Sequence, residues 1–276
     1  MAEVKGFYRS DLKEELLPGE LVFTANVSRT SLFRSLKVFF QGCDVKAEIL
    51  KVDERAQTLN AAAFEDHILV DVEVRVEEAL GDAAFSRAIF KHCSRSDAVR
   101  FERVFRLVVS GLRAAGIRVL CPTAPPGTAL PRPCWEDFNI EDDDNDNFDI
   151  GDSAKIDWPV VFAPLFEQAC CTQGWKCEEA AVLLATMASS SPACLVPLAE
   201  ALAQRQEVLH QLLLSLPPLA TQYPAAAMLS SISACKELSK DTASVLQSLV
   251  SQVLLSGVSP LVAKELTHAL KNFSYI

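Results

Sequence analysis

The chain has 276 residues, half of them hydrophobic and 22% charged, with nine cysteines and a net charge of −10. That is enough apolar material for one or two packed domains, and too little charge for wholesale disorder. The acidic balance argues against nucleic acid as a partner, since phosphate binding needs a basic footprint.

The N-terminus, Met1-Ala2-Glu3-Val4-Lys5-Gly6 with acids at Glu14 and Glu15, reads as neither a signal nor a transit peptide. The cysteines are scattered and form no C-x-x-C pair. That is the usage of reduced, buried thiols, and it predicts a cytoplasmic protein.

Residues 31–41 predict a helix. Leu32, Leu36, Phe39 and Phe40 share a face, Thr30 or Ser31 is the expected cap, and Gly42 ends it. Four extended segments follow at 45–52, 58–64, 68–76 and 85–92. The third alternates most clearly, with Val70, Val72, Val74 and Val76 on one side. Turns are expected at Asp53-Glu54-Arg55, Glu65-Asp66-His67 and Gly81-Asp82. Residues 97–112 predict a second helix, in which Phe101, Val104, Phe105, Val108 and Leu112 form an apolar arc. Arg100, Arg103, Arg106 and Arg113 lie away from that arc. Short connections favour antiparallel neighbours. The expectation is an α+β layer of helix, four-stranded antiparallel sheet and helix, spanning residues 20–118.

Phe39-Phe40-Gln41-Gly42-Cys43-Asp44 at the end of the first helix, the alternating third strand, Phe85-Ser86-Arg87 and the helix opening Phe101-Glu102-Arg103 resemble one known module. It is the kinase-associated domain at the C-terminus of microtubule-affinity-regulating and related Ser/Thr kinases. The resemblance covers about residues 20–115. The chain departs from that family at Ser94-Arg95-Ser96-Asp97, where a tighter Gly-containing turn is usual. The resemblance implies regulation rather than catalysis, either by binding acidic phospholipid headgroups or by folding back on a kinase domain. The charge pattern points the same way independently. Between Arg87 and Arg118 stand eight bases and two acids. Near an anionic leaflet each base is worth about 1 kcal/mol. The candidate anion- or lipid-binding residues are Arg87, Lys91, Arg100, Arg103, Arg106 and Arg113.

Residues 119–157 read as a Pro-rich and acidic linker, expected to be disordered. Pro122, Pro125, Pro126, Pro131 and Pro133 precede a stretch so acidic that residues 121–157 hold ten acids against Arg132 and Lys155. Trp135, Phe138 and Phe148 punctuate it and are its candidate partner-binding residues. An EF-hand loop would need alternating acids and a glycine at its sixth position, and no frame here offers that. No metal site and no cofactor are expected.

Residues 158–276 predict an all-α domain, either a helical-repeat array of armadillo or HEAT type or a bundle. The clearest helices are 178–188, 193–203, 206–214, 241–255 and 261–273. Ser191-Pro192 and Ser259-Pro260 share a helix-start grammar, and Leu198, Ala201 and Leu202 then align with Leu266, Ala269 and Leu270. Two uncharged runs, 180–199 and 242–263, are broken by Ser-Pro or Gly and Pro, so no transmembrane span is expected.

His92-Cys93 with Arg100 imitates a Cys-phosphatase loop, but Val99 stands where that chemistry needs its arginine. No Gly-rich nucleotide loop, nucleophile elbow or kinase catalytic motif occurs. The sequence therefore predicts no enzyme. It predicts a cytoplasmic regulatory or scaffold protein, peripheral at membranes. A basic α+β module would bind anionic lipid or the chain's own acidic segment, and a helical array would bind a protein. The alternative is a regulatory subunit or detached regulatory tail of a Ser/Thr protein kinase.

Overall fold

A computed structural model of the chain describes residues 20–42, 46–79, 85–93, 98–120, 156–214 and 218–276. The candidate linker residues Trp135, Phe138 and Phe148 and the expected turn at Gly81-Asp82 lie outside the described residues. The N-terminal half runs β1 (Glu20–Ala25), α1 (Arg29–Gln41), β2 (Ala47–Asp53), β3 (Thr58–Glu65), β4 (Ile68–Glu78), β5 (Ser86–His92), α2 (Ala98–Ala114) and β6 (Val119–Leu120).

The expected order of helix, four strands and helix is present, but the antiparallel sheet has six strands rather than four. Its order is β2-β3-β4-β5-β1-β6. The added strands are β1, which pairs with β5 along its whole length, and β6, which pairs only with Thr24 and Ala25. Both lie outside the predicted helix–sheet–helix frame, and β6 is too short to show alternation.

The cap of α1 also differs from expectation. The Ser28 hydroxyl accepts from the Ser31 amide at 3.4 Å, so Thr30 and Ser31 lie inside the helix. In β4, Val70, Val72, Val74 and Val76 are buried, while Asp71, Glu73, Arg75 and Glu77 occupy the other face. Asp66 and His67 join β3 to β4 with φ of 50° and 65°, the positive values a tight two-residue hairpin demands. Both helices cover the valine face. Phe23, Phe90 and Phe105 meet there, with ring centroids 5.2 to 6.0 Å apart.

The chain divides into two compact units. Among the described residues, the second comprises 46–48, 64–69, 156–214 and 218–276. Its helices are α3 (Trp158–Ala169), α4 (Gly174–Ser190), α5 (Leu195–Gln204), α6 (Gln206–Leu209), α7 (Leu219–Ser233), α8 (Lys240–Leu255) and α9 (Pro260–Phe273). A 3-10 turn at Pro192–Cys194 leads into α5, and a π-helical turn at His210–Leu214 continues α6. Ser259 caps α9 through the Val262 amide, with Pro260 at its first turn. At Ser191-Pro192 the same grammar opens the 3-10 turn instead, and α5 begins only at Leu195.

Helix α3 packs on α4 and α5, and α5 on α7 and α8. Helix α7 packs on α4 and α9, and α9 on α8. Helix α7 has no solvent face to speak of: Tyr223 through Leu229 are all buried. In this unit the Phe64 ring lies 4.1 Å from that of Tyr223, and Lys46 pairs with Glu265 at 2.5 Å. Among the described residues no single helix is long and apolar enough to cross a membrane. The chain bends by 113° between α4 and the segment Pro192–Gln204.

Candidate functional site

Helix α2 buries Phe101, Val104, Phe105, Val108 and Leu112, together with Val109, against the sheet. An amphipathic helix so oriented must turn its remaining arc to solvent. Arg103, Arg106 and Arg113 are accordingly exposed, and Arg100 is half-buried. Arg106 is held along the helix by Glu102 at 2.6 Å, and Arg113 donates to the Val119 carbonyl at 3.4 Å. Exposed apolar side chains stand among these bases: Val99 is 57% and Leu107 45% exposed. On the adjoining α1, Arg34 is exposed beside Val38, which is 64% exposed. One layer of helices therefore presents cations and bare aliphatic groups together.

Arg87 and Lys91 do not belong to this face. In β5, Ser86, Ala88 and Phe90 are buried beneath the helices, so Arg87 and Lys91 point from the opposite side of the sheet. There the register sets Lys91 between Glu20 and Glu73, and Arg87 beside Glu77. Arg75 pairs with Glu77 at 2.8 Å on the same face. Opposite charges directly across a ladder stabilise it and leave little net field. The structure thus brings together four of the six candidate bases and separates the other two.

Between the helices runs an apolar groove of about 360 Å³. Arg34, Val38 and Gly42 line its α1 side at four-residue spacing, and Gly111 and Ala115 line its α2 side. Phe39 and Leu112 close it below. Gly111 lets the Phe39 ring pack directly on α2: a Cβ at that position would come within 2.3 Å of the ring, which would have to shift to admit it. The sequence expectation contains no groove here; the small residues Gly111 and Ala115, four apart, are its only local hint.

Four thiols and one carboxyl are shifted toward their neutral forms. Burial pushes the Cys93 thiol up, and the Glu73 carboxylate adds to it, the reverse of what a nucleophilic cysteine needs. Burial likewise raises Cys170, Cys177 and Cys194. Asp71 is raised by burial against the opposing pull of His92, whose ring stacks on Phe101 at 5.0 Å. Among the described residues no group of three His, Cys, Asp or Glu side chains could hold a metal ion. Comparison with protein families, with curated proteins and with solved structures finds no match to this chain.

Proposed function

We propose that this chain is a non-catalytic regulatory protein that lays the α1–α2 layer of its N-terminal unit on an anionic membrane surface. The observation that carries this is the interleaving of Arg34, Arg103, Arg106 and Arg113 with exposed Val38, Val99 and Leu107 on one layer. Bases alone give long-range attraction, and aliphatic side chains among them add burial in the headgroup zone. The resemblance to kinase-associated domains supports the same reading, since such modules bind acidic phospholipids. Attachment of this kind is weak, reversible and salt-sensitive, as befits a cytoplasmic protein that visits membranes.

In this reading the acidic segment 121–157 competes with the membrane for the basic layer, because it is tethered next to it and carries opposite charge. The helical unit serves as a protein-binding array of HEAT or armadillo type. Its packing supports this: α3, α5 and α8 contact in series, α4, α7 and α9 contact in series, and the two rows pair. The starts of α3, α5 and α8 are spaced by roughly 40 residues, the length of such repeats. Co-sedimentation of the full chain with vesicles containing phosphatidylserine, against pure phosphatidylcholine, tests the membrane role. Equal partitioning into both would end it.

A further inference from the structure

The α1–α2 groove has a polarity of its own. Arg34 and Ser35 line one end, with the Ser35 hydroxyl turned back to donate to the Ser31 carbonyl, and the rest is hydrocarbon and glycine. From Arg34 to Gly42 is eight residues of helix, about 12 Å at 1.5 Å per residue. Gly111 lets the Phe39 ring lie flat against α2, and the small Ala115, just past the end of that helix, lines the slot beside it. Among the described residues the Arg34 side chain makes no hydrogen bond or ion pair. A cation at one end of a narrow apolar trough matches a single-tailed anionic amphiphile, head at Arg34 and tail over Phe39 and Leu112.

We infer that this groove binds one hydrocarbon chain of an anionic lipid, with the acidic headgroup on Arg34. The inference deepens the membrane reading and rests on it: the layer that faces the bilayer carries the opening through which a chain enters. Val38, exposed at the lip, is placed to meet that chain first. The ligand is lipid rather than free phosphate, because the wall beyond Arg34 offers an inorganic anion nothing.

Dodecyl phosphate below its micelle concentration, titrated into the full chain by calorimetry, tests this without vesicles. We expect saturable one-site binding that weakens about fourfold per methylene removed, the equivalent of about 0.8 kcal/mol each. Ala115→Phe, which fills the slot from an exposed position, should abolish binding with the far-ultraviolet spectrum unchanged. Val38→Asp is the second blocking variant should Ala115→Phe fail to fold. Arg34→Gln should erase the preference for dodecyl phosphate over dodecyl maltoside while keeping the chain-length slope. Binding independent of chain length, binding by inorganic phosphate alone, or full binding by folded Ala115→Phe would overturn the assignment. Vesicle attachment without dodecyl phosphate binding would remove the groove and leave the surface reading. Dodecyl phosphate binding without vesicle attachment would do the opposite.

Discussion

The Phe39 ring rests on Gly111, so close that a Cβ there would meet it at 2.3 Å. The contact brings α1 against α2, and the apolar groove runs beside it. Gly111→Ala adds helix propensity worth about 1 kcal/mol. It also overpacks, at a cost of about 1–3 kcal/mol. Phe39 is half-buried and can swing outward, so the lower figure applies and the two effects nearly cancel. Thermal unfolding should shift by only a few degrees. The environment of a fluorine-labelled Phe39 should nevertheless change sharply by NMR.

The bases of the two faces should behave differently. Neutralising Arg103 or Arg106 should weaken partitioning onto phosphatidylserine vesicles roughly fivefold each, following about 1 kcal/mol per base. Arg87→Gln and Lys91→Gln should leave partitioning within about twofold, because these residues lie on the other side of the sheet opposite acids. Vesicle sedimentation at low salt separates the two sets.

Within the second unit, Phe64 and Tyr223 form a nearly closed aromatic contact. Phe64→Ala should cost about 3–5 kcal/mol in denaturant unfolding. A double-mutant cycle with Tyr223→Ala should return a coupling of roughly 0.5–1.5 kcal/mol. Additive losses would mean the rings only share a location.

His67, at the β3–β4 turn, is held below its ordinary pKa, first by burial and then by Lys46, against the pull of Asp66 and Glu265. The folded state thus disfavours the protonated ring more than the unfolded state does. Stability should be unaffected by His67 above pH about 7, and should fall as pH drops through its unfolded value near 6.5. His67→Gln should flatten the stability–pH curve below about pH 7.

Neutralising Asp142, Asp143 and Asp144 to Asn should strengthen vesicle binding if the acidic segment competes for the basic layer. Unchanged affinity at low salt would remove that competition from the account.

Much of the sheet was legible because β4 alternates without interruption, so Val70 to Val76 announce their buried face. The helix α2 was legible for the same reason at a different period. Helix α7 was not, since it is buried on all sides and shows no apolar stripe, and Pro224 stands inside it. Helix α3 was hidden by Pro159 and Pro164, one at its first turn and one inside. The charge count from Arg87 to Arg118 grouped residues that the pleat of β5 separates, because a sum along the chain ignores which face each residue takes. Alternation through Ser86, Ala88 and Phe90 carried that information. The groove needed the third dimension, since Phe39 and Gly111 are distant in sequence.

The most direct measurement is the partitioning of the full chain onto phosphatidylserine vesicles, with and without the double substitution Arg103→Gln and Arg106→Gln, at low and physiological salt. The account predicts binding that the double substitution weakens by roughly 25-fold at low salt and that added salt suppresses. Binding that survives both changes, or its absence from the parent protein at low salt, would contradict it.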